Sequence, residues 1–140
     1  MEAYTLAMLK AFPDSLMDYQ PTDSVYTVRE QFVHLINHLQ WIGNTYLDTS
    51  AQYRPLNNWE QWSKTKVKDH LSESFQLITT KVTALASTDL RITAHFRPAN
   101  RELSRYELLY LLLDHTRNHT GQLVVYLRLN GITPPRYIGW

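Results

Sequence analysis

Six histidines and no cysteine set the metal-binding chemistry open to this chain: His34, His38, His70, His95, His115 and His119. Only His34/His38 and His115/His119 stand four residues apart in stretches that read as helix. Residues at that spacing lie about 40° apart around a helix axis and one turn along it, so two imidazoles can aim at one ion. Spacing alone is a weak signal, because surface histidines fall at it by chance. Position strengthens the second pair: on a helical wheel Leu108, Leu112, His115, His119, Gln122 and Tyr126 form one line, which turns both rings toward the core. Neighbouring imidazoles in an apolar stripe need partners for their ring nitrogens, and either a metal ion or hydrogen bonds within the core would satisfy them. A third ligand must come from another helix. His34 and His38 are on offer there, His38 nearer the centre of its apolar stripe and His34 sharing a flank with Trp41, and the wheel does not separate them. Three histidines leave a coordination position open, as catalytic sites do and closed structural sites do not. The absence of cysteine removes disulfides, thiolate zinc sites and cysteine nucleophiles from consideration.

The elements that must hold these residues read as helices with punctuation. Residues from Glu2 to about Phe12 form a short first helix, with Leu6 and Leu9 at helical spacing and Pro13-Asp14 ending it, before a linker containing Pro21. Thr27-Val28-Arg29-Glu30 is a capping box that opens the second helix, along which Val28, Phe32, Leu35, Leu39, Ile42 and Tyr46 recur every three or four residues. Asp48 to Asn58, with Pro55 and Asn57-Asn58, is a crossover loop. A third, amphipathic helix runs from Trp59 or Ser63 to Ala86 with Val67, Leu71, Phe75, Ile78, Val82 and Leu85 on one face. Periodicity fails from Ser87 to Arg101, where Pro98-Ala99-Asn100 is turn chemistry and Arg91 to Phe96 has room to be briefly extended. Ser104-Arg105-Tyr106-Glu107 is a second capping box, and Asn130-Gly131 followed by Pro134-Pro135 closes the final helix. Four helices, two longer connections and no convincing strand pattern predict an all-α four-helix bundle with a long crossover connection.

Length and charge narrow the function classes. The 140 residues suit one domain spanning 1–140. A formal net charge of +1 argues against nucleic acid as a partner, and Lys64, Lys66 and Lys68 read as a solvated helix face. No stretch approaches the roughly 18 to 20 apolar residues of a membrane span, and the start has no signal-peptide pattern, so the expectation is a soluble, cytoplasmic protein.

The string His115-Thr116-Arg117-Asn118-His119-Thr120-Gly121-Gln122, followed by Tyr126-Leu127-Arg128 and Gly131-Ile132-Thr133-Pro134-Pro135, resembles the closing segment of the DinB-like metal-binding family. Thr27 to Leu35, with Trp41 seven residues after His34, is similar to that family's first ligand helix, so the resemblance covers most of the chain. It implies a bundle of the DinB/YfiT-like type, from which this chain departs in a first helix short for the family. It implies that His34, His115 and His119 form a metal triad, with His38 a neighbour in support. It also implies one divalent ion as cofactor, zinc or nickel foremost among the metals that imidazole suits.

The activity implied is that of a metal-dependent thiol S-transferase, similar to bacillithiol and mycothiol enzymes, with a low-molecular-weight thiol and an electrophile as partners. Gln122, Tyr126 and Arg128 are then candidates to orient substrate or a ligand imidazole. Two other readings stay open. A hydrolase would activate water on the same ion and need an acid or base such as Asp114 or Glu30. A non-catalytic module would use its ion or its aromatic residues, Trp59, Trp62 and the tail Tyr137-Ile138-Gly139-Trp140, for assembly, and Leu109, Leu113 and Leu127 offer a surface for a homodimer.

Overall fold

In a computed structural model describing residues 1–47 and 52–137, four helices share one hydrophobic core: α1 (Glu2–Ala11), α2 (Val28–Ile42), α3 (Lys64–Thr83) and α4 (Arg105–Leu129). Both capping boxes form. The Thr27 hydroxyl accepts from the Glu30 N–H while the Glu30 carboxylate accepts from the Thr27 N–H, and Ser104 and Glu107 repeat the exchange at α4. The predicted α2 stripe is buried throughout, from Val28 to Tyr46. α3 ends sooner than its pattern suggested. Val67, Leu71 and Phe75 are buried, whereas Ile78, Val82 and Leu85 are only partly covered, because the core thins toward that end.

The helices pack in the cyclic order α1, α3, α2, α4. α2 and α3 are neighbours that run the same way: Arg29 donates to the Trp62 carbonyl, Gln40 to Ser74 at 3.0 Å, and Gly43 approaches Ile78. Two parallel neighbours require the chain to return the length of the bundle between them, which is the work of the crossover connection. That connection begins with one wide turn, Gly43–Leu47, and ends with a short 3-10 turn at Trp59–Gln61. Its segment Asp48 to Ala51 lies outside the described residues. Gly43 serves the close approach, since a Cβ there would come within 3.0 Å of the Ile78 side chain. α4 runs antiparallel to α2, with Gln31 beside Gln122 and His34 beside His115.

The expectation of no strand needs correction, while the extended stretch allowed within Arg91 to Phe96 is met. The connection before α4 contains a small antiparallel hairpin, β1 (Thr93–Phe96) with β2 (Arg101–Ser104), pairing Thr93 with Ser104 and Phe96 with Arg101. Its turn holds Asn100 at φ 49°, a left-handed conformation asparagine tolerates. Each strand is four residues long, too short for an alternating pattern, yet Phe96 and Leu103 are buried and tie the hairpin to the bundle. At the other end of α4, Gly131 has φ +70°, the left-handed turn expected past a helix end.

Candidate metal centre

α2 and α4 bring three of the predicted histidines together. His34, His115 and His119 each offer a ring nitrogen, and these atoms all lie within 4.8 Å of one another. The Nε2 atoms of His34 and His115 are 2.8 Å apart, and the three ring centroids stand 4.5 to 4.9 Å from each other. His38, one turn further along α2, falls outside this group although its ring centroid is only 3.9 Å from that of His115. His70 and His95 are elsewhere: His70 stacks on Trp62 and pairs with Glu73, and His95 pairs with Glu102 on the hairpin.

Burial disfavours the charged form of all four clustered rings. It lowers His34 and His115 below the ordinary imidazole value, His34 adding to the effect on His115. Burial, with lesser repulsion from His115 and His34, brings His119 down to about 4, and burial plus the three neighbouring histidines brings His38 to about 3. A neutral imidazole keeps one nitrogen lone pair, which is what a metal ligand must offer.

The lone pair of His119 can be located by following the hydrogen bonds. The Tyr26 backbone carbonyl can only accept, so the Tyr126 hydroxyl donates to it, at 2.8 Å. The Tyr126 oxygen is then left to accept from Gln31 Nε2 at 3.2 Å, and the same amide nitrogen donates to Gln122 Oε1 at 2.9 Å. Gln122 Nε2 in turn donates to Asn118 Oδ1 at 2.7 Å. With its nitrogen so committed, Gln31 presents Oε1 to His119 Nδ1 at 2.5 Å, and an oxygen must accept. Nδ1 of His119 therefore carries the proton and Nε2 keeps the lone pair. This is the support usual for metal-binding histidines, whose second nitrogen donates to an acceptor that fixes ring and tautomer.

The residues proposed to assist are thus placed unevenly. Tyr126 is buried within this chain of bonds. Gln122 is exposed, not on the core line where the wheel put it. The buried line of α4 runs through Leu108, Leu112, Thr116, His119, Leu123 and Leu127, leaving His115 half-buried and Gln122 on the flank facing α2. Arg128 is exposed, and Leu127 is fully buried and unavailable as a surface for assembly. Trp62 is likewise buried, Tyr137 packs edge-on against Tyr4, and Ile138 to Trp140 lie outside the described residues. Gln31 was not anticipated. A glutamine inside a helix reads as surface, and the signal available was its place one turn before His34 together with the unmet second nitrogen of His119.

Two clefts reach the cluster. A cavity of about 440 Å³ is lined by His34, His38, His115, Trp41, Phe96 and Leu111, with Asn37, Tyr53 and Pro98 completing it, and no charged side chain lines it. The hairpin supplies one wall through Phe96, whose ring lies 5.6 Å from that of Trp41. Nδ1 of His38 is buried and meets no partner among the described residues. A smaller cleft of about 150 Å³, lined by Tyr26, Glu30, Trp59 and Val33, shares His34 and Asn37 with the first. His34 lines both clefts and His115 the larger one, while the buried His119 lines neither; three imidazoles so grouped form a donor set that fits a divalent ion with coordination room to spare.

The comparisons with known proteins agree with this architecture. A family model described as the DinB family matches residues 2–138. A solved DinB-like protein from Bacillus cereus superposes with a TM-score of 0.79 at 16% identity, covering 97% of this chain and 89% of the other. A DinB-like protein from Bacillus subtilis gives 0.76 at 17% identity, covering 97% and 90%. No functionally curated protein matches the chain at a significant level. At such identities the structural likeness carries the fold alone, while the family match spans nearly every residue. No helix among the described residues is long and apolar enough to cross a membrane. The capped ligand helices, the clustered histidines and the near-complete family match lead to one conclusion: this chain belongs to the DinB family.

Proposed function

We propose that His34, His115 and His119 hold one divalent ion, zinc or nickel, and that the protein is a metal-dependent thiol S-transferase. The observation that carries this reading is the pair of clefts meeting at His34, one apolar and uncharged, the other small and polar. Two compartments on one wall suit a reaction that joins two molecules. The larger falls within the ordinary size of small-molecule sites, and its aromatic walls favour a flat, uncharged electrophile. The smaller, with Glu30 at its edge, has room for a short polar thiol.

A bound divalent ion would supply Lewis acidity, lowering the pKa of the thiol so that it reacts as a thiolate near neutral pH. The chain's residues orient and exclude. Trp41 and Phe96 flank the electrophile, Gln31 and Tyr126 keep the His119 ring in place, and the His38 ring lines the cavity beside His115 with its Nδ1 buried. In the transfer the thiol proton passes to buffer, a sulfur–carbon bond forms, and the leaving group departs with the bonding pair.

A hydrolase is less well supported, because the larger cavity has no carboxylate to act on a water. Glu30 reaches only the smaller cleft and is engaged in its capping box, and Asp114 is exposed on another side of α4. The test is consumption of 1-chloro-2,4-dinitrobenzene by a panel of small thiols, with and without zinc or nickel. Protein, thiol and metal together should release chloride faster than any two of them, and His119→Ala should abolish the gain. Rates unaffected by metal across the panel would overturn the transferase reading.

A further inference from the structure

His34 and Asn37 are the two residues common to both clefts, and the metal centre uses only the histidine. Asn37 stands three residues after His34 and four before Trp41, so the three side chains leave the same side of α2. Asparagine is a poor former of helix interiors, and its amide oxygen and nitrogen can exchange places until their partners fix them.

Here the partners do fix them. The Leu56 backbone N–H can only donate, so the Asn37 atom it meets at 3.4 Å is the amide oxygen. The Tyr53 hydroxyl lies 3.1 Å from that same oxygen and therefore donates to it as well. Both partners belong to the crossover connection. With Oδ1 doubly engaged, Asn37 has Nδ2 left to offer, and among the described residues Nδ2 donates to no acceptor. Nor is Nδ2 sealed in the core, since among the described residues the buried side-chain nitrogen without a partner is His38 Nδ1. An N–H donor anchored by two bonds thus stands in a wall otherwise made by Trp41, Phe96 and Leu111, the kind of placed polar group that orients a ligand in an apolar cavity.

We infer that Asn37 determines the substrate class: its Nδ2 donates to an oxygen conjugated with the carbon under attack, so the cavity takes flat electrophiles activated by a nitro or carbonyl group. An alkyl halide offers no such oxygen. For its chemistry the inference rests on the transferase reading. When a thiolate attacks a chloronitroarene, the sulfur–carbon bond forms and an electron pair moves through the ring onto a nitro oxygen. The pair then returns, restores the ring and expels chloride. Negative charge peaks on the oxygen that Nδ2 holds, so this hydrogen bond is stronger in the transition state than with bound substrate. Tyr53 acts through Asn37 as a positioning residue.

Nitrogen-15 correlation spectra of the side-chain amides test it, with 1,3-dinitrobenzene as an unreactive probe and m-xylene as its oxygen-free counterpart. The resonance pair missing in Asn37→Leu identifies Nδ2, and in the unaltered protein that pair should move further downfield with dinitrobenzene than with m-xylene. Asn37→Asp keeps both anchoring bonds but turns an acceptor toward the ligand. In it and in Asn37→Leu the ratio of the two affinities should fall about 3- to 10-fold, as for one net hydrogen bond. In turnover of 1-chloro-2,4-dinitrobenzene both variants should lose about 10- to 100-fold in kcat with a smaller change in KM, and Tyr53→Phe should lose less in the same direction. Between 1,3-dinitrobenzene and 1,3-diacetylbenzene, the one held more tightly names the activating group. An Asn37 resonance pair that moves no further with dinitrobenzene, or an affinity ratio unchanged in both variants, would overturn the inference. A shifted pair with transfer rates indifferent to metal would instead overturn the transferase reading and leave Asn37 as the residue that selects the ligand.

Discussion

The two longest helices each bury an interface, yet the interfaces are of different kinds. Between α1 and α3 the large buried side chains are apolar, Met8 and Leu9 on one helix and Val67 and Leu71 on the other, and polar contacts such as Lys64 to the Phe12 carbonyl lie at the edge. Between α2 and α4 the buried surface contains Gln31, His119 and Tyr126, joined into a directed chain of hydrogen bonds that starts at a backbone carbonyl and ends at a histidine nitrogen. The first interface is stable because water is excluded from it. In the second, buried polar groups are tolerable because each is paired, and the pairing also orients a ring.

The contrast can be tested by perturbing each side and reading both stability and metal binding. The largest effect belongs to the apolar side. Leu71→Ala should cost about 2 to 5 kcal/mol of unfolding free energy through the cavity it leaves, with the metal stoichiometry of the folded protein unchanged. Denaturant titration beside metal analysis checks this, and loss of metal in the folded variant would mean that the two interfaces are not separable. On the polar side, Gln31→Leu keeps volume but removes the acceptor for His119 Nδ1. Metal affinity should fall roughly 10- to 100-fold in competition with a chromophoric chelator. Nitrogen-15 shifts of the His119 ring in the metal-free protein should show mixed tautomers where the unaltered protein shows Nδ1–H.

Acid provides a third perturbation. Burial sets His119 near 4 and His38 near 3 in the folded state, below the unfolded imidazole value of about 6.5, so the unfolded chain takes up protons first. The stability of the metal-free protein is therefore full above about pH 6.5 and declines as pH falls toward 4. Each such histidine contributes a slope of up to about 1.4 kcal/mol per pH unit, and His119→Gln should flatten the profile. A profile identical to that of the variant would show that His119 is not held neutral. The smallest effect is expected from Tyr126→Phe, which removes the anchor to the Tyr26 carbonyl and leaves the Gln31 amide nitrogen held only by Gln122. Metal affinity should drop only about 2- to 10-fold, in line with one net hydrogen bond, while the Leu71 region keeps its hydrogen-exchange protection.

The same contrast explains what the amino-acid sequence makes legible. Apolar periodicity reports burial directly, so the stripe from Val28 to Tyr46 and both capping boxes could be read residue by residue. His34, His115 and His119 were accessible through their spacing and, for the choice between His34 and His38, through the family resemblance. Of the hairpin only the extended stretch within Arg91 to Phe96 was legible; its pairing was not, because Thr93–Phe96 and Arg101–Ser104 are too short to carry a period, and only Phe96 and Leu103 mark an inward side. Gln31 and the exposure of Gln122 escaped for another reason. Their roles depend on which atom of which partner faces them across α2 and α4, and helical spacing on a single chain does not contain that information.

Metal content after dialysis against a weak chelator, for the unaltered protein beside His34→Ala and His38→Ala, tests the central claim most directly. The three-histidine centre predicts close to one zinc or nickel ion per chain, lost in His34→Ala and retained in His38→Ala. No retained ion in the unaltered protein even after resupply, or an ion that survives His34→Ala but not His38→Ala, would contradict it.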